Sequence, residues 1–432
     1  MTRPFKIVIV GGGIGGLATA IALRKGDREI IVLEQSSLNR EIGATISLQP
    51  NASKIVEQQW GLAAELKARG SMTDEAFQVY NLAGELQMQI QLSTLAKYGG
   101  ERVVYHRVDL HEALKKIATS LDHPGRPATI RVSCRVVTCD CNTGQVELEN
   151  GEKVSADLIV GADGIKSSIR RAILGKDVPA QPTGHSAYRT VILTSELLKE
   201  EEFINVVDPR KSVTTMVIGH DRRLIMGPAR NSSIYSVVAL IPDENMAESS
   251  ANSSWTTSGD LDKMLKSFEV FPEWAKKPLR LAREAGLWQL RDLDPLPTWY
   301  KGRAILVGDA AHAMLPTQGQ GASQSIEDAE ALGAFFAEVQ VGNLSVREVE
   351  NINRAIFDCR YDRATLIQSY SRQSAKPATD PGSIKIKMNP AEFMDYNCFY
   401  KGALDWQRRQ QELNRVEQKS VDQCFEALRI KA

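Results

Sequence analysis

The chain has 432 residues, 43% of them hydrophobic, with 53 Lys plus Arg offset by 53 Asp plus Glu. That length exceeds what one core usually serves, so two domains or one elaborated domain are expected. The charge balance excludes a global field for nucleic acid or an anionic membrane, and no apolar run approaches the roughly 18 residues of a membrane span. Six cysteines without a C-x-x-C pair, and without a histidine at zinc-like spacing, read as free thiols in a reducing compartment with no metal site. Met1 lies a few residues ahead of the first strand, too close for a signal peptide, so a cytoplasmic protein without a transmembrane anchor is expected.

Lys6 to Val10 is a continuous apolar run of the kind that forms a buried parallel strand. The glycines that follow, Gly11-Gly-Gly-Ile-Gly15-Gly16, place Gly11, Gly13 and Gly16 in the three positions of a G-x-G-x-x-G turn before a helix from Leu17 to Lys25. Such a turn bends tightly, lets backbone approach a pyrophosphate and offers the phosphates a helix N-terminus. Ile30 to Leu33 is the second strand, and Glu34 at its end can accept hydrogen bonds from ribose hydroxyls. Taken alone, this stretch allows either FAD or NAD(P).

Arg40, Gly43 and Ala44 come next, in a segment expected to run past the bound cofactor. Pro50 and Asn51 start a helix, and residues 75–102 alternate like an antiparallel excursion. Asp109 with Glu112 reads as a helix-start box, and Arg107 just ahead of it can contact phosphate or adenine. Residues 130–160 alternate as a meander ending in the strand Leu158 to Val160 and the turn Gly161-Ala-Asp163-Gly164. Residues 185–241 read as a second, mostly antiparallel sheet, residues 249–259 as a polar loop and Leu261 to Phe268 as a short helix. Ala304 to Val307 is a third buried strand, leading into Gly308-Asp309 and the glycines Gly319 and Gly321. Ser345 and Asn389 each cap a further helix, and 403–432 is charge-rich and helical.

Three glycine-bearing turns thus follow three parallel strands, and ligands bind outside the carboxyl ends of such strands. Their convergence favours a large cofactor, FAD. Asp309 is the sharpest single residue, a carboxylate able to accept ribityl hydroxyls; Asp163 is similar, although Gly164 makes a turn-forming role competitive.

The first glycine turn with Glu34, the Gly161 to Gly164 turn, and Gly308-Asp309-Ala-Ala-His312 with Pro316 resemble the three fingerprints of the single-component FAD-dependent aromatic hydroxylases, most nearly those of salicylate hydroxylase type. The resemblance covers about residues 5–340. It implies an α/β fold: a Rossmann-type FAD-binding domain, an inserted mostly antiparallel β-sheet substrate domain as in para-hydroxybenzoate hydroxylase, and a C-terminal helical region. The expected division is 1–74, 103–180 and 286–345 for FAD, 75–102 and 181–285 for substrate, and 346–432 for the helical region.

By position, the resemblance implies that Glu34 holds the adenosine ribose, that Arg40 and Arg107 lie along the FAD, and that Asp309 holds the ribityl. Gly319, Gly321 and Ala322 would present a helix N-terminus to the flavin ring, beside Pro316. The implied chemistry is hydride transfer from a transient NAD(P)H, addition of O2 to give a flavin hydroperoxide, and attack on an electron-rich ring, which either hydroxylates the ring or replaces a ring carboxylate with hydroxyl; the resemblance to salicylate hydroxylase favours the second. A small-molecule aromatic substrate and a monomer or homodimer are expected.

Arg189, on the first strand of the second sheet, is unusual because a half-buried strand rarely carries an unpaired guanidinium. Its ordinary reading is a solvent-facing residue with a carboxylate neighbour; the functional reading pairs it with a substrate phenolate or carboxylate. Tyr235 is a weaker pocket candidate, and Met216 and Met226 read better as strand core. Two alternatives stand beside the aromatic hydroxylase: a tailoring monooxygenase for an indole, alkaloid or polyketide phenol, and a non-catalytic binder that keeps the fold.

Overall fold

The computed structural model describes residues 3–37, 44–243, 256–375 and 386–415. β1 (Lys6–Val10) sends Ile7 and Ile9 into one hydrophobic cluster and Val8 and Val10 into another. Both faces are covered, which is why the strand reads as an unbroken apolar run. α1 (Ile14–Leu23) follows, and β2 (Glu29–Leu33) then pairs with β1 in parallel, Val10 opposite Leu33.

β3 (Thr45–Leu48) leaves this sheet to pair with Val103–His106 in a small antiparallel sheet. β4 (Ala76–Tyr80) and β5 (Leu86–Gln91) form the hairpin that the alternation predicts. α2 (Arg107–Thr119) packs on α1, and β6 (Thr129–Arg131) adds a parallel strand beside β2. Asp109 therefore does not cap this helix, which starts two residues before it; its carboxylate pairs instead with Arg230 at 2.6 and 2.8 Å. After a three-stranded antiparallel meander, β7 (Leu158–Gly161) pairs with the other side of β1 in parallel.

β8 (Gln181–Leu193), β9 (Val213–Ile218), β10 (Arg223–Ala229), β11 (Ile234–Pro242), β12 (Thr256–Ser258) and β13 (Gly286–Asp292) join the early hairpin in an eight-stranded sheet. Its order is β12-β13-β8-β11-β10-β9-β4-β5, antiparallel except for β9 with β4. Two sequence expectations change here. Thr256–Ser258, read as part of a polar loop, is a strand, and Gly286–Asp292, assigned to the FAD-binding portion, hydrogen-bonds to β8 in the large sheet.

β14 (Tyr300–Lys301) and β15 (Ala304–Leu306) return to the first sheet, completing the order β14-β15-β7-β1-β2-β6. α3 (Gly321–Phe335) then packs along α1, and α4 (Val346–Ala375) packs on α3. Ser345 and Glu348 close a reciprocal cap at the start of α4, and Asn389 and Glu392 do the same for α5 (Pro390–Cys398). Residues 403–415 are helical; the last part of the expected helical tail lies outside the described residues. No helix among the described residues is long and apolar enough to cross a membrane.

Candidate active site

β1, β7 and β15 run in parallel, so the three turns that follow them open at one end of the sheet. The first turn has no spare room where it packs. A Cβ on Gly11, whose φ is +107°, would sit 2.3 Å from the Ala162 carbonyl oxygen, and one on Gly16 would sit 1.9 Å from that of Gly11. Gly13 differs, since a Cβ there would meet nothing within 4 Å. Gly15 packs α1 against Ser325 of α3. α1 has neither a side-chain cap nor an acidic residue in its first turn, so its N–H groups remain available to an anion.

Glu34 stands at the end of β2, its carboxylate accepting from the backbone N–H of Gly12 and of Ser36, each at 2.7 Å. Further lone pairs remain for ribose hydroxyls. A cavity of about 430 Å³ opens here, lined by Gly11, Gly13, Glu34, Arg135 and Asp163. It lies against β1 and β2, not against the sheet carrying Arg189. His111 of α2, which sequence reasoning did not single out, reaches the Gly12 carbonyl at 2.7 Å. Because a carbonyl only accepts, the His111 Nε2 carries the proton in this contact. Nothing in its local sequence marks this role.

Asp163 turns out to be a helix-capping residue. Its carboxylate accepts from the Ser167 hydroxyl at 2.5 Å and from the Ser168 and Ile169 N–H at 2.7 and 3.2 Å, so its side chain is committed to the next helix. Arg40 and Gly43 lie outside the described residues. Ala44 is buried and its carbonyl accepts from Arg107 N–H at 2.9 Å, tying the end of that segment to the start of α2.

The third turn is held from behind. Gly308 has φ +59°, and its N–H donates to Asp328 at 2.9 Å. His312 Nε2 bonds the same carboxylate oxygen at 2.7 Å and packs against Trp299. Asp328 is buried, and so is the guanidinium of Arg360, which donates to it from α4 at 2.9 Å. Burial alone would raise the Asp328 carboxyl, but His312 and Arg360 hold it down at about 2. Arg360 also pairs with Glu327, as does Arg363 through two bonds of 2.7 Å, and Asn51 donates to Glu327 at 2.6 Å. Thr317 and Gln318, beside Pro316, bond to Ser371 and Ser374 of α4 at 2.7 and 2.9 Å.

In front of this scaffold the Asp309 side chain is open to the cleft and accepts no hydrogen bond among the described residues. Protein surrounds it on its other sides, which pushes its carboxyl up, opposed by His312, Arg107 and Arg170. α3 likewise begins without a side-chain cap, and a Cβ on Gly321 would meet nothing within 4 Å. Open approaches at Gly13 and Gly321, two uncapped helix N-termini, and acceptors at Glu34 and Asp309 together fit an elongated cofactor with a pyrophosphate in its middle and hydroxyls on both sides.

The large sheet meets this scaffold through β3. Thr45 Oγ1 donates to Ser236 Oγ of β11 at 3.0 Å, while a Cβ on Gly319 would lie 3.4 Å from Gln49 and 3.6 Å from Ser47. Arg189 stands on the face of the sheet that holds Ser236, since it is opposite Val238, two residues along β11. No carboxylate among the described residues pairs with it, and its Nε has no hydrogen-bond partner. Its guanidinium lies 5.1 Å from the Trp288 ring. Burial, then repulsion from Arg107, lowers its pKa, the signature of a cation without its anion.

Tyr235 is on the opposite face. It is fully buried and meets Phe203 edge-on with ring centroids 5.6 Å apart, in the core beneath the sheet. The alternation of β11 that puts Ser236 toward β3 turns Tyr235 away, which removes it from the catalytic candidates. Met226 belongs to that same core, whereas Met216 is half-buried on the Arg189 side.

The fold and the cleft define a flavoprotein. The profile of the FAD binding domain family matches residues 5–350, and the chain belongs to that family, among its FAD-dependent aromatic hydroxylases. It is 31% identical over 382 residues to hispidin-3-hydroxylase of Neonothopanus nambi, covering 85% of this chain and 88% of that one. It is 30% identical over 388 residues to salicylate hydroxylase of Pseudomonas putida, covering 86% and 85%. Among solved structures, a salicylate hydroxylase substrate complex superposes with a TM-score of 0.74 at 27% identity, covering 92% of this chain and 96% of the other. The protein is therefore a FAD-dependent aromatic monooxygenase of the salicylate hydroxylase-like class, and the non-catalytic alternative falls away.

Proposed function

We propose that this enzyme consumes NAD(P)H and O2 to hydroxylate a phenol carrying an acidic group, with Arg189 as the residue that holds the anion. Gly13 and the start of α1 would receive the pyrophosphate, Glu34 the adenosine ribose and Asp309 the ribityl hydroxyls. Gly319, Gly321 and Ala322 would bring the N-terminus of α3 to the flavin ring, where its positive end favours the reduced, anionic state. Bound FAD supplies the passage of electrons from NAD(P)H and the activation of O2. The balance is ring C–H plus NAD(P)H, H⁺ and O2 to ring C–OH plus NAD(P)⁺ and water; where a ring carboxylate is replaced, CO2 leaves in place of the ring proton and a second H⁺ is taken from solvent.

The observation that carries this reading is the unpaired Nε of Arg189, on the sheet face that meets β3 through Thr45, with Ser47 of the same β3 bordering the Gly319 turn. A guanidinium there favours the ionised phenol or acid, raising electron density in the ring to be oxidised. Arg189→Ala should keep FAD while lowering kcat/KM for acidic phenols by about a hundredfold, the size typical for truncating a buried charge contact. Unchanged turnover would take Arg189 out of the site. NAD(P)H oxidation measured across phenolic acids, with product masses, tests the activity. Release of CO2 would select decarboxylative hydroxylation, and its absence simple hydroxylation.

A further inference from the structure

Register carries one transverse row across the large sheet on the Arg189 face. Arg189 stands opposite Val238, Val238 opposite Ile225, Ile225 opposite Met216, Met216 beside Val79, and Val79 opposite Met88. Residues matched in register project to the same face, so these six side chains form a line crossing six strands. Between the guanidinium and the rim every member is apolar. Val238, Ile225 and Met216 are half-buried, Val79 is buried, and Met88 at the rim is 48% exposed.

The flanking row on the β3 side behaves differently. Its Ser236 is bound to Thr45, and its Thr214 donates to Asp74 at 2.6 Å, so that row is taken up by contacts with the first part of the chain. Apolar residues scattered singly on a surface need no explanation, but a collinear run that ends on a cation with no carboxylate partner among the described residues does. Strands lie about 4.8 Å apart, so Arg189 to Met216 spans roughly 14 Å, more than one benzene ring covers.

We propose that Val238, Ile225 and Met216 form a second substrate subsite, and that the natural substrate is an acidic phenol extended by an alkyl or aryl body lying along this row. The anionic head stays at Arg189, and the body leaves toward β5. This rests on the proposed function, since it assumes that Arg189 takes the substrate anion.

The test uses the FAD-loaded enzyme with salicylate and hexyl-substituted salicylates, reading the dissociation constant from the change in bound-flavin absorbance. The hexyl compounds should bind at least about tenfold more tightly, since each methylene that reaches apolar protein contributes about fourfold. Met216→Gln and Ile225→Thr should each pull the hexyl-to-salicylate affinity ratio down toward one. Equal binding of short and long acids by the wild-type enzyme overturns the subsite, as does a ratio left intact in both variants. If neither acid perturbs the flavin of an enzyme that holds FAD, the parent reading of Arg189 fails instead, and the subsite with it. FAD content and melting temperature identify a misfolded variant, and the alkyl series on the wild-type enzyme then decides alone.

Discussion

Two aspartates on either side of the third glycine turn illustrate how position sets role. Asp309 faces the cleft without a donor among the described residues, whereas Asp328 behind it takes donors from Gly308, His312 and Arg360. Asp309→Ala should weaken FAD binding by about ten- to a hundredfold, the worth of hydrogen bonds to a charged group, as measured by flavin fluorescence on titration. Full retention of affinity would sink the ribityl assignment. Asp328 is depressed to about 2 when folded, against about 3.9 for a free aspartate. A depressed carboxyl stabilises the fold fully above its unfolded pKa and loses that contribution as pH falls toward the folded one. Melting temperature should therefore drop steeply between about pH 4 and pH 2. Asp328→Asn, less stable at neutral pH, should show a shallower drop across that window. The Asp309 motif was legible because its neighbours repeat a known pattern. Tyr235 misled because alternation shows that two faces exist without showing which one meets the cofactor.

At the scale of elements, charged side chains bind helices together where the pattern of apolar residues gave no hint. Arg28 is almost wholly buried, yet it donates to Leu23 at 2.9 Å, to Val339 at 2.7 Å and to the Phe336 carbonyl. One guanidinium thus satisfies carbonyls at the ends of both α1 and α3, and burial lowers its pKa to about 10. Arg24 does the same between α1 and the end of α2, donating to Ile117 at 2.6 Å and Gly125 at 2.8 Å. Arg28→Met leaves these carbonyls without donors and should cost about 3 kcal/mol of unfolding free energy in a denaturant titration. A loss below about 0.5 kcal/mol, the range of an ordinary surface change, would contradict the capping role. The sequence revealed α1 and α3 through the glycine turns ahead of them and α4 through its Ser345 cap and its repeating apolar face. Periodicity missed the Arg360, Arg363, Glu327 and Asp328 cluster because buried ion pairs interrupt that repeat and look like solvent-facing charge.

For the whole molecule, the two sheets are shared between distant parts of the chain. The hairpin β4–β5 completes a sheet whose other strands begin about a hundred residues later, and β13 closes it after residue 285. The expected division placed β13 with the cofactor-binding part because apolar runs do not reveal their hydrogen-bonding partner. α4 gives the C-terminal part a definite task, since Arg360, Arg363 and the serines at its end brace the turn carrying Asp309 and Pro316.

The Arg28 contact to Phe336 joins residues 308 positions apart, and β15, paired beside β7, precedes α3 in the chain. Contacts of such long range form slowly, because the loop they close has to be ordered first. Local hairpins and the meander can assemble while the cleft is still open, so the earliest compact forms should have much of their secondary structure and little affinity for flavin. In refolding, quenching of FAD fluorescence should lag well behind the recovery of circular dichroism, and simultaneous recovery would argue against this order. During synthesis the first glycine turn, made among the earliest residues, would wait for nearly three quarters of the chain before it can grip its cofactor.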